Sequence, residues 1–298
     1  MELKQYLHDK RLQVEAAMER LFPVTEGLQP DLARHLEAMR YSLFAGGKRV
    51  RPILCLAACE AVGGDGRAAL PAAVALECIH TYSLVHDDLP AMDNDELRRG
   101  RPTNHMVYGE ANAILAGDGL LTLAFELLSS PSEPAIPAGI QLQIIKAIAA
   151  GAGPLGMVGS QIIDIASEGK EIDFATLREI HRRKTGALIL AAVQAGALVG
   201  KADQKQFTAL SRYGEMIGLS FQIVDDLLNV EGSSAELGKA VGSDAERGKA
   251  TYPAFFGVEA TRSKATETVA EAVAALAGFG PEAEPLRQLA LYIKERKK

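Results

Sequence analysis

Apolar residues recur at helical spacing through most of this sequence, and this periodicity restricts the fold more than any other feature. Four long Ala- and Leu-rich segments show it, at residues 70–89, 110–128, 174–199 and 206–230. A period of 3.6 residues places such side chains on one face of an α-helix. Strand patterns are nearly absent, and stops rich in Gly and Pro separate the segments. The pattern predicts an all-α, single-domain bundle of roughly ten or more helices over residues 1–298.

The composition limits the classes of partner and of cellular location. With 298 residues, 48% of them hydrophobic, the chain can bury a large core. Its net charge of −6 argues against non-specific nucleic-acid binding, which requires a basic face. The three cysteines form no C-x-x-C pair, which favours a reducing, cytoplasmic location. The charged N-terminal segment predicts an amphipathic helix without a signal peptide, and the uncharged runs are too short to predict a membrane span.

A dense group of charged residues closes the first of these helical segments. It consists of Asp87, Asp88, Asp93, Asp95 and Glu96, followed by Arg98, Arg99 and Arg101. Clustered carboxylates suit a hard cation such as Mg²⁺, which proteins commonly share with substrate phosphates. Asp87 and Asp93 do not share one face of a straight helix, but Pro90 ends the helix and lets the chain fold back. The segment therefore indicates a metal site for a phosphate-bearing substrate.

The alternative for this segment is a solvated helix end whose acids pair with the nearby arginines. Negative charge at a helix C-terminus opposes the helix dipole, which favours a compensating cation and hence the metal site. His80 precedes Asp87 by two helical turns and lies on nearly the same face. It is either a donor to a bound phosphate or a hydrogen-bonded interior histidine, and the sequence leaves both open.

A second acidic segment ends the helical pattern at 206–230. Its polar stripe consists of Gln222, Asp225, Asp226 and Asn229. These positions share one helix face, and a Gly-rich stretch with Lys239 and Lys249 follows. An amphipathic surface helix is the alternative, although the exposed face of such a helix ordinarily carries Lys and Glu. The short stripe of acids and amides favours a second site for metal and phosphate.

Three shorter patterns carry polar groups that are weak signals when taken singly. The first is a loop of Gly46, Gly47, Lys48 and Arg51. This loop precedes a predicted helix, where backbone amides and cations can cradle a diphosphate. Lys184 and Thr185 follow a basic run, and Gln161 and Asp164 lie three residues apart. Without the acidic segments, the last two patterns would each be interpreted as a solvated helix face.

Together these segments resemble the trans-prenyl (polyprenyl) diphosphate synthases, most closely the bacterial farnesyl diphosphate synthases. The resemblance covers residues 40–255, and the first acidic motif has a two-residue insertion before Asp93. It implies the isoprenoid synthase fold, in which helices surround a deep central cavity and the two acidic segments face each other across its mouth. It also implies a homodimer, and it implies isopentenyl diphosphate and an allylic diphosphate as substrates.

The resemblance assigns a role to each matching position. The positions that match ligands of isopentenyl diphosphate are Lys48, Arg51, His80 and Arg99, beside the backbone of Gly47. Those that match ligands of the allylic diphosphate are Arg98, Lys184, Thr185, Gln222, Lys239 and Lys249. Asp87 and Asp93 match carboxylates that bind two of three Mg²⁺ ions, for which Mn²⁺ can substitute, and Asp225 matches the ligand of the third. Asp88, Asp164 and Asp244 match supporting groups of the metal site.

One position departs from the family pattern. The second motif of the family usually ends in a third aspartate, and here that position is Asn229, which keeps an oxygen ligand but lacks the charge. We expect Asp225, water and diphosphate oxygens to complete the third metal site.

The length of the product depends on the floor of the cavity. Ser83 lies one helical turn below Asp87, and the bulky Tyr82 lies beside it. The resemblance implies that an aromatic residue there stops growth at fifteen carbons, which gives farnesyl diphosphate. Geranylgeranyl diphosphate synthase is the nearest alternative. The pair His86–Asp87 suggests a metal-dependent phosphohydrolase, but that interpretation gives no role to the second acidic segment. A non-catalytic subunit is a further alternative, but such a subunit would not require the intact polar residues.

Overall fold

The fold is a bundle of α-helices, as the periodicity predicts. A computed structural model describes residues 2–167, 169–231 and 250–295. The helices that precede the second acidic segment are α1 (Leu3–Leu21), α2 (Pro30–Leu43), α3 (Val50–Ala61), α4 (Gly66–Asp87), α5 (Asn104–Tyr108), α6 (Glu110–Ser129), α7 (Ala138–Ala152), α8 (Met157–Ser167), α9 (Phe174–His181) and α10 (Ala187–Val199). Those that follow are α11 (Gln204–Glu231), α12 (Tyr252–Phe256), α13 (Val258–Ala275) and α14 (Glu284–Glu295), with a 3₁₀ turn at Pro281–Ala283. The all-α prediction is confirmed.

The core lies where α3, α4 and α10 pack together. Most positions of α3 and α10 are buried, and many of them are alanine, whose small side chain lets helix axes approach closely. α10 also packs against α7 and α11, and α4 packs against α6. The amphipathic α1 covers this core with Val14 and Met18, which are both fully buried. Because packing fixes these inner helices, the polar side chains at their ends also have fixed positions.

Two features of the backbone differ from a simple row of α-helices. A short antiparallel hairpin pairs β1 (Leu97–Arg98) with β2 (Arg101–Pro102). Its turn residues Arg99 and Gly100 both have positive φ, which is typical of a tight two-residue hairpin. The second feature is a π-helical turn at Arg182–Gly186, which divides the predicted helix at 174–199 into α9 and α10. Such π turns are frequent at functional sites.

Three segments among the described residues are long and apolar enough to cross a membrane by length and composition alone. They are Gly66–Asp87, Glu110–Ser129 and Ala138–Ser167. The uncharged runs alone are too short to span a membrane, whereas these segments reach the required length by including two or three charged residues. The first is the inner helix α4, of which 78% of the apolar window is buried inside the protein. The absence of a membrane span therefore stays a prediction.

Candidate active site

The first acidic segment folds back on itself at the end of α4. Asp87 is the last residue of the helix, and the backbone N–H of Asp93 donates to the carbonyl of Asp87 at 2.8 Å. The N–H of Asn94 donates to the carbonyl of Leu89 at 3.1 Å, which closes the turn. The break expected at Pro90 is confirmed, and it brings Asp87 and Asp93 to one end of the bundle.

The surroundings of Asp87 disfavour the charged form of its carboxyl group. The pKa of Asp87 is raised to about 6: burial raises it most, the carboxylates of Asp93 and Asp88 also raise it, and Lys184 and Arg98 lower it. Buried carboxylates that repel one another are stabilised by a bound cation, and their oxygens are suitable ligands for it. The donor set around Asp87 and Asp93 therefore fits a divalent metal ion.

Asp88 faces an arginine and is almost fully buried. Arg98 Nε donates to Asp88 Oδ1 at 2.7 Å and to Oδ2 at 2.9 Å, and Arg98 Nη2 lies 2.6 Å from Oδ1. Both carboxylate oxygens are engaged, so Asp88 orients the guanidinium of Arg98, which the hairpin carries to this position. Among the predicted metal residues, Asp88 thus takes the supporting place. Its direct contact with metal stays a prediction.

Helix α8 supplies the next two polar groups of the site. Gln161 Nε2 donates to Asp87 Oδ1, and Lys184 Nζ donates to Asp164 Oδ2. Burial alone would lower the pKa of Lys184, but Asp164 and then Asp87 more than offset it, so the pKa of Lys184 is raised and its ammonium stays charged. Gln161 and Asp164 are therefore part of the site and do not form a solvated face.

The π-helical turn connects the two acidic segments. Lys184 reaches toward Asp164 and Asp87, while the hydroxyl of its neighbour Thr185 donates to Gln222 Oε1 on α11. The turn can approach α11 closely because Gly218 has no side chain: a Cβ there would lie 2.7 Å from the Cα of Gly186. The stripe that contains Gln222 therefore faces the same end of the bundle as Asp87.

The two aspartates of the second segment have different surroundings. Asp226 is buried, its Oδ2 accepts the backbone N–H of Tyr252 at 2.8 Å, and its Oδ1 lies 3.8 Å from His181 Nε2. Asp226 therefore attaches α12 to α11. Asp225 is half-buried and lies one turn after Gln222 on the side of the site. Lys239, Lys249 and Asp244 lie outside the described residues.

A separate basic cavity of about 390 Å³ opens beside this acidic end. Its polar lining comprises Gly47, Lys48, Arg49, Arg51, Glu77, His80 and Arg99. Within the described part of the chain, Arg51 Nε is buried and has no hydrogen-bond partner. Burial lowers the pKa of Arg51 to about 10, so the guanidinium remains charged near neutral pH. An orphaned, charged donor in a cavity fits an anionic ligand such as a diphosphate.

His80 is a neutral side chain in this cavity. Burial, and then the guanidinium groups of Arg51 and Arg99, hold the pKa of His80 well below its usual range. A neutral imidazole can still donate one hydrogen bond to a phosphate oxygen. The structure thus places His80 with the cations that the sequence grouped with it, and the role of phosphate donor stays a prediction.

This depressed pKa gives a testable stability prediction. In the unfolded chain His80 titrates near pH 6.5. As the pH falls below that value, the unfolded chain takes up a proton that the folded protein does not, and the protein loses stability. Between pH 7.5 and pH 5, the wild-type protein is expected to lose more stability than His80→Gln, as measured by urea denaturation at both pH values. Equal losses in the two proteins would contradict the assignment.

The predicted floor residues lie one turn below the acidic end. Tyr82 is buried, and its ring packs edge-to-face against His86 with the ring centroids 5.8 Å apart. His86 Nε2 is 2.9 Å from the carbonyl of Ile114 on α6, which fixes the imidazole. Ser83 Oγ donates to the carbonyl of His80 at 2.9 Å. Tyr82, which belongs to α4, thus packs against an imidazole that is itself fixed to α6.

The described residues contain no group of three or more His, Cys, Asp or Glu side chains that could hold a metal ion. Mg²⁺ typically uses one or two carboxylates and takes further ligands from water and substrate phosphates. Asp87 with Asp93, and Asp225 separately, therefore stay predicted ligands of magnesium ions that bind together with a diphosphate.

Comparisons with known proteins agree with this geometry. A model of the polyprenyl synthetase family matches residues 33–278. Farnesyl diphosphate synthase of Geobacillus stearothermophilus is 48% identical over 264 residues, which cover 89% of this chain and 88% of that protein. Geranylgeranyl diphosphate synthase of Cyanophora paradoxa is 50% identical over 261 residues, which cover 87% of each. The crystal structure of an FPP/GFPP synthase from Zymomonas mobilis has 40% identity and a TM-score of 0.86, with 98% of both chains covered. The chain therefore belongs to the polyprenyl synthetase family of prenyltransferases.

Proposed function

We propose that this chain condenses isopentenyl diphosphate with dimethylallyl or geranyl diphosphate, with farnesyl diphosphate and pyrophosphate as products. The observation that carries the proposal is the presence of two charged regions of opposite character side by side. One is the basic cavity with the orphaned Arg51 Nε, and the other is the acidic end with Arg98 and Lys184. Two adjacent sites of opposite character suit one diphosphate that binds directly to cations and another that binds together with metal.

The side chains hold both substrates in a fixed relation. Lys48, Arg51, His80 and Arg99 would grip isopentenyl diphosphate. The allylic diphosphate would be held by Arg98, Lys184, Thr185 and Gln222, of which Arg98 is oriented by Asp88 and Lys184 by Asp164. Because each cation is braced by a carboxylate, it needs little reorganisation when the substrate binds. Such positioning makes the attack of one substrate on the other effectively unimolecular.

Magnesium held by Asp87, Asp93 and Asp225 would supply positive charge that stabilises the departing diphosphate. The allylic carbon–oxygen bond breaks first and leaves a delocalised allylic cation. The double bond of isopentenyl diphosphate then forms a bond to the allylic carbon of this cation. The departing diphosphate accepts the proton that the new cation releases. Apolar side chains below Asp87, among them Tyr82, exclude water from the reacting carbon.

The proposal also specifies the chain length of the product, which is fifteen carbons. The relatives named above include both farnesyl and geranylgeranyl diphosphate synthases. In this chain the ring of Tyr82, packed against His86, lies one turn below the acidic end, where a growing prenyl chain would extend. This aromatic position favours the shorter product.

The decisive experiment is a product assay. Purified protein is incubated with Mg²⁺, isopentenyl diphosphate and either allylic starter, and the dephosphorylated alcohols are sized by chromatography. Farnesol is the expected product. Geranylgeraniol as the main product would favour the twenty-carbon alternative, and phosphate release without isopentenyl diphosphate would favour a phosphohydrolase. A cyclic hydrocarbon would indicate a terpene cyclase, and no turnover would indicate a non-catalytic subunit.

We further propose a cytoplasmic homodimer. Exposed apolar side chains concentrate on α6, α7 and α8, including Leu115, Leu142 and Ile162 with 54%, 67% and 66% exposure. Such side chains on neighbouring helices are typical of an interface. The low cysteine count and the absence of a C-x-x-C pair support the reducing location.

The dimer gives a prediction of its own. Light scattering of the wild-type protein is expected to give twice the chain mass of 31.7 kDa. The double variant Leu142→Glu/Ile162→Glu is expected to shift the mass toward that of one chain, because two buried charges at each copy's face oppose association. A single-chain mass for the wild-type protein would contradict the proposal.

A further inference from the structure

Arg49 is buried, although it and both of its neighbours in sequence line the basic cavity. It precedes the first residue of α3 and is 3% exposed. Its backbone φ of 52° lies in the left-handed region, which costs a residue with a Cβ roughly 1–2 kcal/mol. A buried charge on a strained backbone requires strong compensating contacts.

Three elements supply these contacts. Arg49 Nη1 donates to Glu77 Oε1 on α4 at 2.6 Å, and Nη2 donates to the carbonyl of Leu43, the last residue of α2, at 3.0 Å. Arg49 Nε makes no hydrogen bond among the described residues, but it lies at an ion-pair distance of 3.9 Å from Glu15 Oε1 on α1. The turn before α3 is thereby tied to α1, α2 and α4 through one side chain.

Glu77 is the central partner in this arrangement. Its side chain is 3% exposed, and it lies one turn before His80 on α4. Glu77 also lies close enough to Arg51 and Arg99 to favour the charged form of both guanidinium groups. Among the described lining residues of the basic cavity, Glu77 is the one carboxylate. When no anion is bound, Glu77 therefore provides the negative charge that offsets the repulsion between Arg51 and Arg99.

We propose that Glu77, acting through Arg49, is a positioning residue of the isopentenyl diphosphate site. The left-handed turn at Arg49 lets Lys48 and Arg51 both reach the cavity, and the bond to Glu77 fixes this turn relative to His80 on the same helix. Glu77 fixes the distances between the cationic side chains of the cavity. The diphosphate itself is contacted by Lys48, Arg51, His80 and Arg99. This inference rests on the proposed prenyl transfer.

The test separates positioning from stability with two variants. Glu77→Asp keeps the charge but shortens the side chain, so that Arg49 and the turn must shift. The KM for isopentenyl diphosphate is expected to rise about tenfold, because a displacement of 1 Å in a positioned site has effects of this size or larger. The KM for the allylic substrate and kcat are expected to stay within about twofold, because Arg98 and Lys184 are braced by other carboxylates.

The second variant is Arg49→Met/Glu77→Leu, which replaces the buried ion pair with apolar groups of similar volume. Such a replacement commonly preserves stability. The double variant is expected to melt within a few degrees of the wild-type protein, while its KM for isopentenyl diphosphate stays elevated about tenfold or more. If the double variant does not fold, Glu77→Asp decides the question.

A matched control is Glu60→Gln, which removes the ion pair between Glu60 and Lys10 on the other side of the core. It is expected to lower the melting temperature without changing the KM for isopentenyl diphosphate. An unchanged KM in Glu77→Asp, or a wild-type KM in the folded double variant, would overturn the positioning role. A wild-type protein that makes no prenyl product would instead overturn the proposed function, so the two failures are distinguishable.

Discussion

Asp87→Asn is expected to lower the rate of prenyl transfer by about a thousandfold, because the proposed mechanism makes Asp87 one of the few charged ligands of the metal beside the departing diphosphate. The same substitution relieves repulsion. Burial and the carboxylates of Asp93 and Asp88 raise the pKa of Asp87, so its charged form destabilises the folded protein above about pH 6. We therefore expect a melting temperature at pH 8 that equals or exceeds that of the wild-type protein, in the absence of metal and substrate.

Steady-state assays over a range of Mg²⁺ concentrations, together with thermal melts, test both parts of this prediction. The half-saturating Mg²⁺ concentration should rise in the variant. Asp95→Asn is the control, because Asp95 belongs to the same acidic segment and lies 3.7 Å from Arg98. Its activity should change only a few-fold. An Asp87→Asn enzyme with near wild-type activity would show that Asp87 is not needed for the reaction.

Tyr82→Ala is expected to change the main product from the proposed fifteen carbons to twenty or more. The substitution removes an aromatic ring that is 6% exposed and packed against His86 below the acidic end, so it opens space in line with a growing chain. A truncation of this size also costs roughly 3 kcal/mol of stability, so the assay belongs well below the melting temperature of the variant.

Product sizing by chromatography measures the effect, and Tyr82→Phe is the matched control because it keeps the ring and only removes the hydroxyl. Tyr82→Phe should keep the product length of the wild-type protein. If Tyr82→Ala keeps the fifteen-carbon product while remaining folded, the limit to chain growth lies elsewhere in the cavity.

Some parts of the site were predictable because they are local. The break at Pro90 and the hydrogen bond from Asp93 to Asp87 follow from residues that are near in sequence. The polar stripe around Gln222 is predictable for the same reason, since helical spacing alone places these side chains on one face. The predicted bounds of these helices were also close to the observed ones. The segment predicted at 206–230 is the helix Gln204–Glu231, and the one predicted at 110–128 is the helix Glu110–Ser129.

Other parts depended on contacts between distant positions. Gln161 donates to Asp87 across 74 residues of sequence, and Glu77 binds Arg49 across 28 residues. No local signal distinguishes Gln161 from a solvated glutamine or Glu77 from an ordinary helical glutamate. Asp88 and Asp87 are adjacent, yet only the hairpin that carries Arg98 determines that Asp88 meets a guanidinium.

The sequence by itself determined the all-α fold, the positions of the long helices and the two acidic segments, because apolar periodicity and helix-ending residues act over a few turns of chain. The tertiary structure decided which polar side chains meet. The π-helical turn that directs Lys184 to one acidic segment and Thr185 to the other, and the buried partners that hold Arg49 and Arg98, exist only once the helices are packed. In the packed protein each charge must find a specific neighbour, because water no longer compensates it.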